Sequence, residues 1–99
     1  MTVAAGTSID ELDTPVQVVE LDKLEANIRA MQEAVTAAGA RLRPHIKTHK
    51  IPEIGHMQEA AGGHGIAVAK AAEAEVFANA GFKEVSRPTL RRVVMRVEF

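Results

Sequence analysis

The chain has no cysteine, which removes disulfide bridges, thiolate nucleophiles and thiolate metal sites at once. It has no tryptophan or tyrosine and only three phenylalanines, Phe77, Phe82 and Phe99, so any core must be assembled from Ala, Val, Ile, Leu and Met. No apolar run approaches the roughly 18 residues that a membrane-spanning helix requires. Residues 1–13 carry neither a basic stretch nor an apolar one, so the start reads as a polar leader and not as a secretory signal. Charge of one sign is also lacking: 12 Lys and Arg face 13 Asp and Glu, for a formal net charge of -1. Bulk electrostatics therefore points to no nucleic acid and no membrane as partner, and a cytoplasmic location is the expectation.

What is present is ordinary for a soluble globular domain, with 46% hydrophobic and 25% charged residues. At 99 residues and with so few aromatics, a stand-alone core would be thin.

Local signals alternate regularly along the chain. After Thr14-Pro15, the β-branched run Val16-Gln17-Val18-Val19-Glu20-Leu21 predicts a first strand. Asp22, three residues before Glu25, predicts an N-cap with a reciprocal partner. Leu24, Ile28, Met31 and Val35 then form one apolar helical stripe, and Gly39 stands where a left-handed C-terminal cap falls. Residues 42–49 predict a second strand. Pro52 suits the first turn of a second helix, with Ile54, Met57 and Ala61 turned inward. Gly62-Gly63-His64-Gly65 breaks that helix and leads to Ile66-Ala67-Val68-Ala69, a strand apolar enough to be covered on both faces. A third helix is expected over 71–80, with Val76, Phe77 and Ala80 inward, and Lys83-Glu84-Val85 opens a fourth strand. The order β-α-β-α-β-α-β implies a parallel sheet with right-handed crossovers. A TIM-type barrel and a doubly wound sheet both satisfy it.

The chemistry is concentrated in Arg43-Pro44-His45-Ile46-Lys47-Thr48-His49-Lys50. On a strand, the period of 2 sends Arg43, His45, Lys47 and His49 to one face. A lysine among cationic neighbours and partly desolvated has its ammonium form disfavoured, as a Schiff-base nucleophile requires. The alternative is a solvated basic strand edge, a common device against strand aggregation. Lys50, of opposite parity, and Lys70, at a strand-to-helix junction, are the competing amines. His45, His49, His56 and His64 raise the question of a metal. His45 and His49, four apart on a strand, would lie roughly 13 Å from each other at about 3.3 Å per residue, so no metal site is expected within the chain. The Gly62-Gly63-His64-Gly65 loop lacks the Gly-x-Gly-x-x-Gly order and a preceding strand, and reads as a connection, not a phosphate cradle.

That octapeptide, with Thr14-Pro15 upstream and Ala69-Lys70-Ala71-Ala72-Glu73-Ala74-Glu75 downstream, resembles the N-terminal part of the D-threonine aldolase and D-serine dehydratase family. These are pyridoxal-phosphate enzymes of the alanine-racemase-like group. The resemblance covers residues 14–85 and implies an α/β fold, a partial TIM-type (β/α) barrel holding about the first three to four βα units of eight. It implies pyridoxal 5'-phosphate in Schiff-base linkage to Lys47, with His45 and Lys70 lining the cofactor site. It also implies a lyase acting on a small-molecule D-amino acid, and a divalent metal held by the family's C-terminal domain, outside this chain.

Residues 86–99 depart from the family, which continues with an apolar strand and further units of a barrel of about 250 residues. They carry four of the chain's seven arginines, and Pro88 is unsuited to a central strand. A truncated or frame-shifted coding sequence accounts for this, as does a short basic tail for a partner. The competing functional expectation is a non-catalytic fragment, whose uncovered sheet edge would favour self-association.

Overall fold

The computed structural model describes residues 3–88 and 92–96. Met1, Thr2 and, in the basic tail, residues 89–91 and 97–99 lie outside the described residues. After a 3-10 turn at Ile9–Glu11, the elements are α1 (Leu21–Ala37), α2 (Pro52–Ala60), β1 (Ile66–Ala67), α3 (Ala71–Asn79), β2 (Glu84–Pro88) and β3 (Arg92–Arg96). Among the described residues, no helix is long and apolar enough to cross a membrane.

Helix boundaries follow their local chemistry with one exception. Pro52 opens α2, where its missing N–H is no loss. Gly39 follows the Ala38 C-cap of α1 with φ 75, a conformation glycine adopts without cost. The exception is the start of α1. Glu20 takes the N-cap position without a side-chain cap bond, and Asp22 lies inside the first turn, so the expected Asp22–Glu25 box does not form. Asp22 still places negative charge at the positive end of the helix dipole, and Glu20 pairs with Lys23 at 3.3 Å.

Two expected strands are corrected. Residues 16–20 are not in a strand, and Val16, Val18 and Val19 are 45%, 51% and 51% exposed. β-branched residues favour a strand only where a neighbouring strand receives them, and among the described residues none does. The expected strand over residues 42–49 shrinks to one parallel bridge between His45 and Ala67, in which Ile46 N donates to Ala67 O at 2.9 Å and Ala67 N to Pro44 O at 2.7 Å. Beyond Ile46 the backbone turns: His49 N and Lys50 N both donate to Ile46 O, at 3.2 and 2.7 Å, and Lys50 takes φ 56. The period-2 face therefore stops before Lys47 and His49.

The sheet has the order β1-β2-β3. β1 and β2 are parallel, with Ile66 opposite Val85 and Ala67 opposite Ser86. β2 and β3 are antiparallel, from Glu84 opposite Arg96 to Pro88 opposite Arg92. The parallel order holds from the His45 bridge through β2 and gives way to an antiparallel partner on the far edge. Pro88 is accommodated because it ends β2 beyond the two residues that β1 pairs.

The core is Ile46, Ile66, Val68, Ala74, Phe77, Phe82 and Val85, with Ala80 packed against it. Fully burying each of the larger side chains contributes about 1.5–3 kcal/mol. The α3 face differs from expectation: Val76 is 53% exposed, and Glu73, Ala74 and Phe77 are the buried residues. The rings of Phe77 and Phe82 meet at 5.3 Å with a 54° tilt. Gly55 of α2 comes so close to them that a β-carbon would stand 2.8 Å from Phe82 Cζ and 3.0 Å from Phe77 Cε1. By contrast α1 buries no residue, and Met31 of the expected stripe is 56% exposed. Between α1, α2 and the bridge strand runs a groove of about 420 Å³, lined in part by Leu24, Ile28, Met31, Leu42 and Ile54.

Candidate functional site

The bridge strand, β1 and β2 run in parallel, and ligands of parallel α/β sheets bind outside the carboxyl ends of the strands. At that end lie Lys47, the 47–49 turn, Ala69, Lys70 and Arg87. Lys47 follows the fully buried Ile46, so its backbone is anchored while its side chain is exposed. The desolvation expected around this amine is thus not supplied by the described residues.

His45 is half-buried, and its Nδ1 accepts from Lys47 N at 3.2 Å. Burial lowers its proton affinity below the ordinary imidazole value, the Lys47 charge lowers it further, and the Glu73 carboxylate opposes both. His45, Lys47 and Glu73 therefore share one electrostatic neighbourhood. Lys70 is exposed and takes the N-cap position of α3, and Arg87 Nε donates to Ala69 O at 3.1 Å.

Sequence reasoning missed Glu73 as a site residue. Its Oε1 accepts from Ala69 N and Lys70 N, each at 2.9 Å, which satisfies free amides at the start of α3. Its Oε2 is buried without a well-formed hydrogen bond and faces Lys50 Nζ at 3.5 Å, the outer edge of hydrogen-bonding distance. Burial works against the charge of Glu73, but the Lys70 and Ala69 amides and then Lys50 outweigh it, so its carboxyl lies below the ordinary glutamate value. The signal was legible: a glutamate three residues after a helix-starting position is the N3 half of a capping arrangement.

The remaining histidines scatter. His49 Nδ1 accepts from Ile51 N at 2.9 Å and its Nε2 meets Gln58 Oε1 at 3.3 Å. His56 stacks on Phe82 at 4.2 Å and donates from Nε2 to Ala80 O at 2.9 Å. His64 lies at the opposite end of the strands, 3.9 Å from Glu84, with Arg43 holding both Glu84 and His64 O. Arg43 thus serves that end and not the Lys47 end. Among the described residues, no three of His, Cys, Asp and Glu converge as a metal site would require.

Comparison with known proteins shows the family. Residues 19–95 match the family described as alanine racemase, N-terminal domain. D-threo-3-hydroxyaspartate dehydratase of Delftia sp. (strain HT23) is 46% identical over 74 residues, covering 75% of this chain and 20% of that protein. D-threonine aldolase of Arthrobacter sp. is 42% identical over 80 residues, covering 81% and 21%. A solved structure of a D-threo-3-hydroxyaspartate dehydratase variant in the metal-free form superposes with TM-score 0.73 at 45% identity, over 76% of this chain and 20% of that one. The chain spans about a fifth of the length of the curated relatives it matches.

Proposed function

The chain belongs to the alanine racemase N-terminal domain family, and on that premise we propose that it is the cofactor-lysine segment of a pyridoxal-phosphate-dependent lyase acting on D-amino acids. The reaction is of the D-threonine aldolase or D-serine dehydratase type. The observation that carries this is Lys47, an exposed primary amine directly after the buried Ile46 and just past the parallel bridge of His45 to Ala67. The relatives' names support the substrate class, since D-threo-3-hydroxyaspartate and D-threonine are both β-hydroxy D-amino acids.

These residues fit the aldehyde end of pyridoxal phosphate. Lys47 would hold the group covalently, with His45 and Lys70 lining its site. When bound, the pyridine ring supplies an electron sink for the carbanion left at Cα. The chain's own part is to anchor the Lys47 backbone next to the buried Ile46 and to hold the His45 imidazole beside it. With Nδ1 taken by Lys47 N, His45 keeps Nε2 to hold a proton, and burial together with the Lys47 charge favours the neutral ring.

The domain is the opening three to four βα units of a barrel that the longer relatives complete. A divalent metal belongs to the longer protein, a reading supported by the metal-free form described for one relative. By itself the 99-residue chain does not catalyse the family reaction. Incubation with pyridoxal phosphate, borohydride reduction and peptide mapping test the attachment point. Label is expected on Lys47; label on Lys70 or Lys50 with Lys47 unmodified overturns the assignment. Turnover of D-threonine or D-serine by this chain at the rate of a full-length relative, lost in Lys47→Ala, overturns the statement that it is inactive alone.

A further inference from the structure

Lys47 and Lys50 are three residues apart in one turn, so any carbonyl reagent arriving there meets two primary amines. We propose that Glu73 is the positioning residue that distinguishes them: it ties the Lys50 ammonium to the start of α3, fixes the Ile46-to-Lys50 turn, and leaves Lys47 as the amine open to reaction. The functional meaning rests on the reading of Lys47 as the cofactor amine; the structural part does not.

Three observations converge. Glu73 is only 9% exposed, and its Oε1 is fixed by two amides, so Oε2 is held in one place. That Oε2 is buried without a well-formed hydrogen bond and has the Lys50 ammonium before it at 3.5 Å. Lys50 itself adopts φ 56, a conformation disfavoured for a residue with a β-carbon. It is kept there by its 2.7 Å amide bond to Ile46 O and by the ion pair at the far end of its side chain. Among the described residues no ion pair involves Lys47. The other charged groups at this end are His45, on the bridge strand; Lys70, exposed at the start of α3; and Arg87, on β2, which is engaged with Ala69 O. Strand parity therefore does not separate the two amines; the Glu73 carboxylate does.

Two measurements on the full chain test this. The first is reductive methylation with formaldehyde, resolved lysine by lysine, which needs no cofactor. In the native chain Lys50 is expected to react about fivefold more slowly than Lys47, the upper size for an ion pair with one exposed partner. In Glu73→Gln, where the amide oxygen can still accept from Ala69 and Lys70, the difference should vanish. The second is hydrogen exchange at the residue-50 amide. Lys50→Met should exchange severalfold faster than the native chain and Lys50→Arg at the native rate, because arginine restores the ion pair. The lysine variants keep the experiment decisive if Glu73→Gln does not fold. Equal labelling of Lys47 and Lys50 in the native chain, or equal exchange in Lys50→Met and Lys50→Arg, overturns the proposal. If borohydride instead fixes pyridoxal phosphate to Lys70 while these results hold, the cofactor assignment fails and the role of Glu73 in the turn stands.

Discussion

Gly55→Ala isolates the tightest contact in the core, and two opposing effects decide its sign. Alanine is favoured over glycine inside a helix by about 1 kcal/mol. Against this, the new methyl would stand 2.8 Å from Phe82 Cζ and 3.0 Å from Phe77 Cε1. Neither ring has room to withdraw: Phe82 is fully buried and stacked on His56 at 4.2 Å, and Phe77 is 1% exposed. Forcing a methyl into such packing costs about 1–3 kcal/mol, and two contacts this short place the cost toward the upper end. The net expectation is destabilisation by about 1–2 kcal/mol, read as a lower urea midpoint at unchanged slope in circular dichroism. Gly55→Ala combined with Phe82→Leu should be less destabilised than the sum of the single changes, because the smaller side chain vacates the space that the methyl needs. A Gly55→Ala chain as stable as the native one, or more so, would refute the reasoning, since helix preference would then outweigh the steric contact.

Other outcomes follow from single residues. His56→Ala loses the Phe82 stack and the bond to Ala80 O and should cost about 1–2 kcal/mol in the same urea titration. The proton affinity of His45 is lowered in the fold, so the unfolded chain binds its proton more readily. Stability should fall as pH drops below the ordinary imidazole value of 6.5 and through the lower folded value, and His45→Gln should remove that step. The Glu73 carboxyl is likewise held below its ordinary value of 4.5; its contribution is full above that value and lost as pH falls through the folded one, so Glu73→Gln should flatten the acid limb of the stability curve. Lys47→Ala, at an exposed side chain, should leave stability within about 0.5 kcal/mol and abolish borohydride-trapped pyridoxal label at position 47.

Features set by the chain itself were legible in the sequence. Pro52 at a helix start, Gly39 in a left-handed cap and the fully buried Ile66-Ala67-Val68 stretch depend on backbone chemistry or on strong burial, and each stands where expected. Features that need a partner were not. Val16, Val18 and Val19 have the composition of a strand, but the described residues present no neighbour to complete the ladder. The turn after Ile46 depends on bonds converging on a single carbonyl and on imidazole rings accepting from nearby amides, which no period in the sequence announces. Lys47 is proposed on its motif and Lys70 on its junction. Glu73 was passed over although its place three residues into α3 marks a capping partner; what no spacing announces is that its second oxygen is buried opposite Lys50.

The antiparallel partner of β2 bears on how this sheet can grow. A strand has two hydrogen-bonding edges, and those of β2 are taken by β1 and β3. A further parallel strand could be added next to β2 only by strand exchange, displacing β3 along a register of five residue pairs. The competition is uneven in time, because a hairpin between neighbouring segments closes in about 1–10 μs, well before a partner brought in across an intervening helix. β3 therefore acts as a stopper on the sheet, and building a larger barrel outward from this edge would begin with its release.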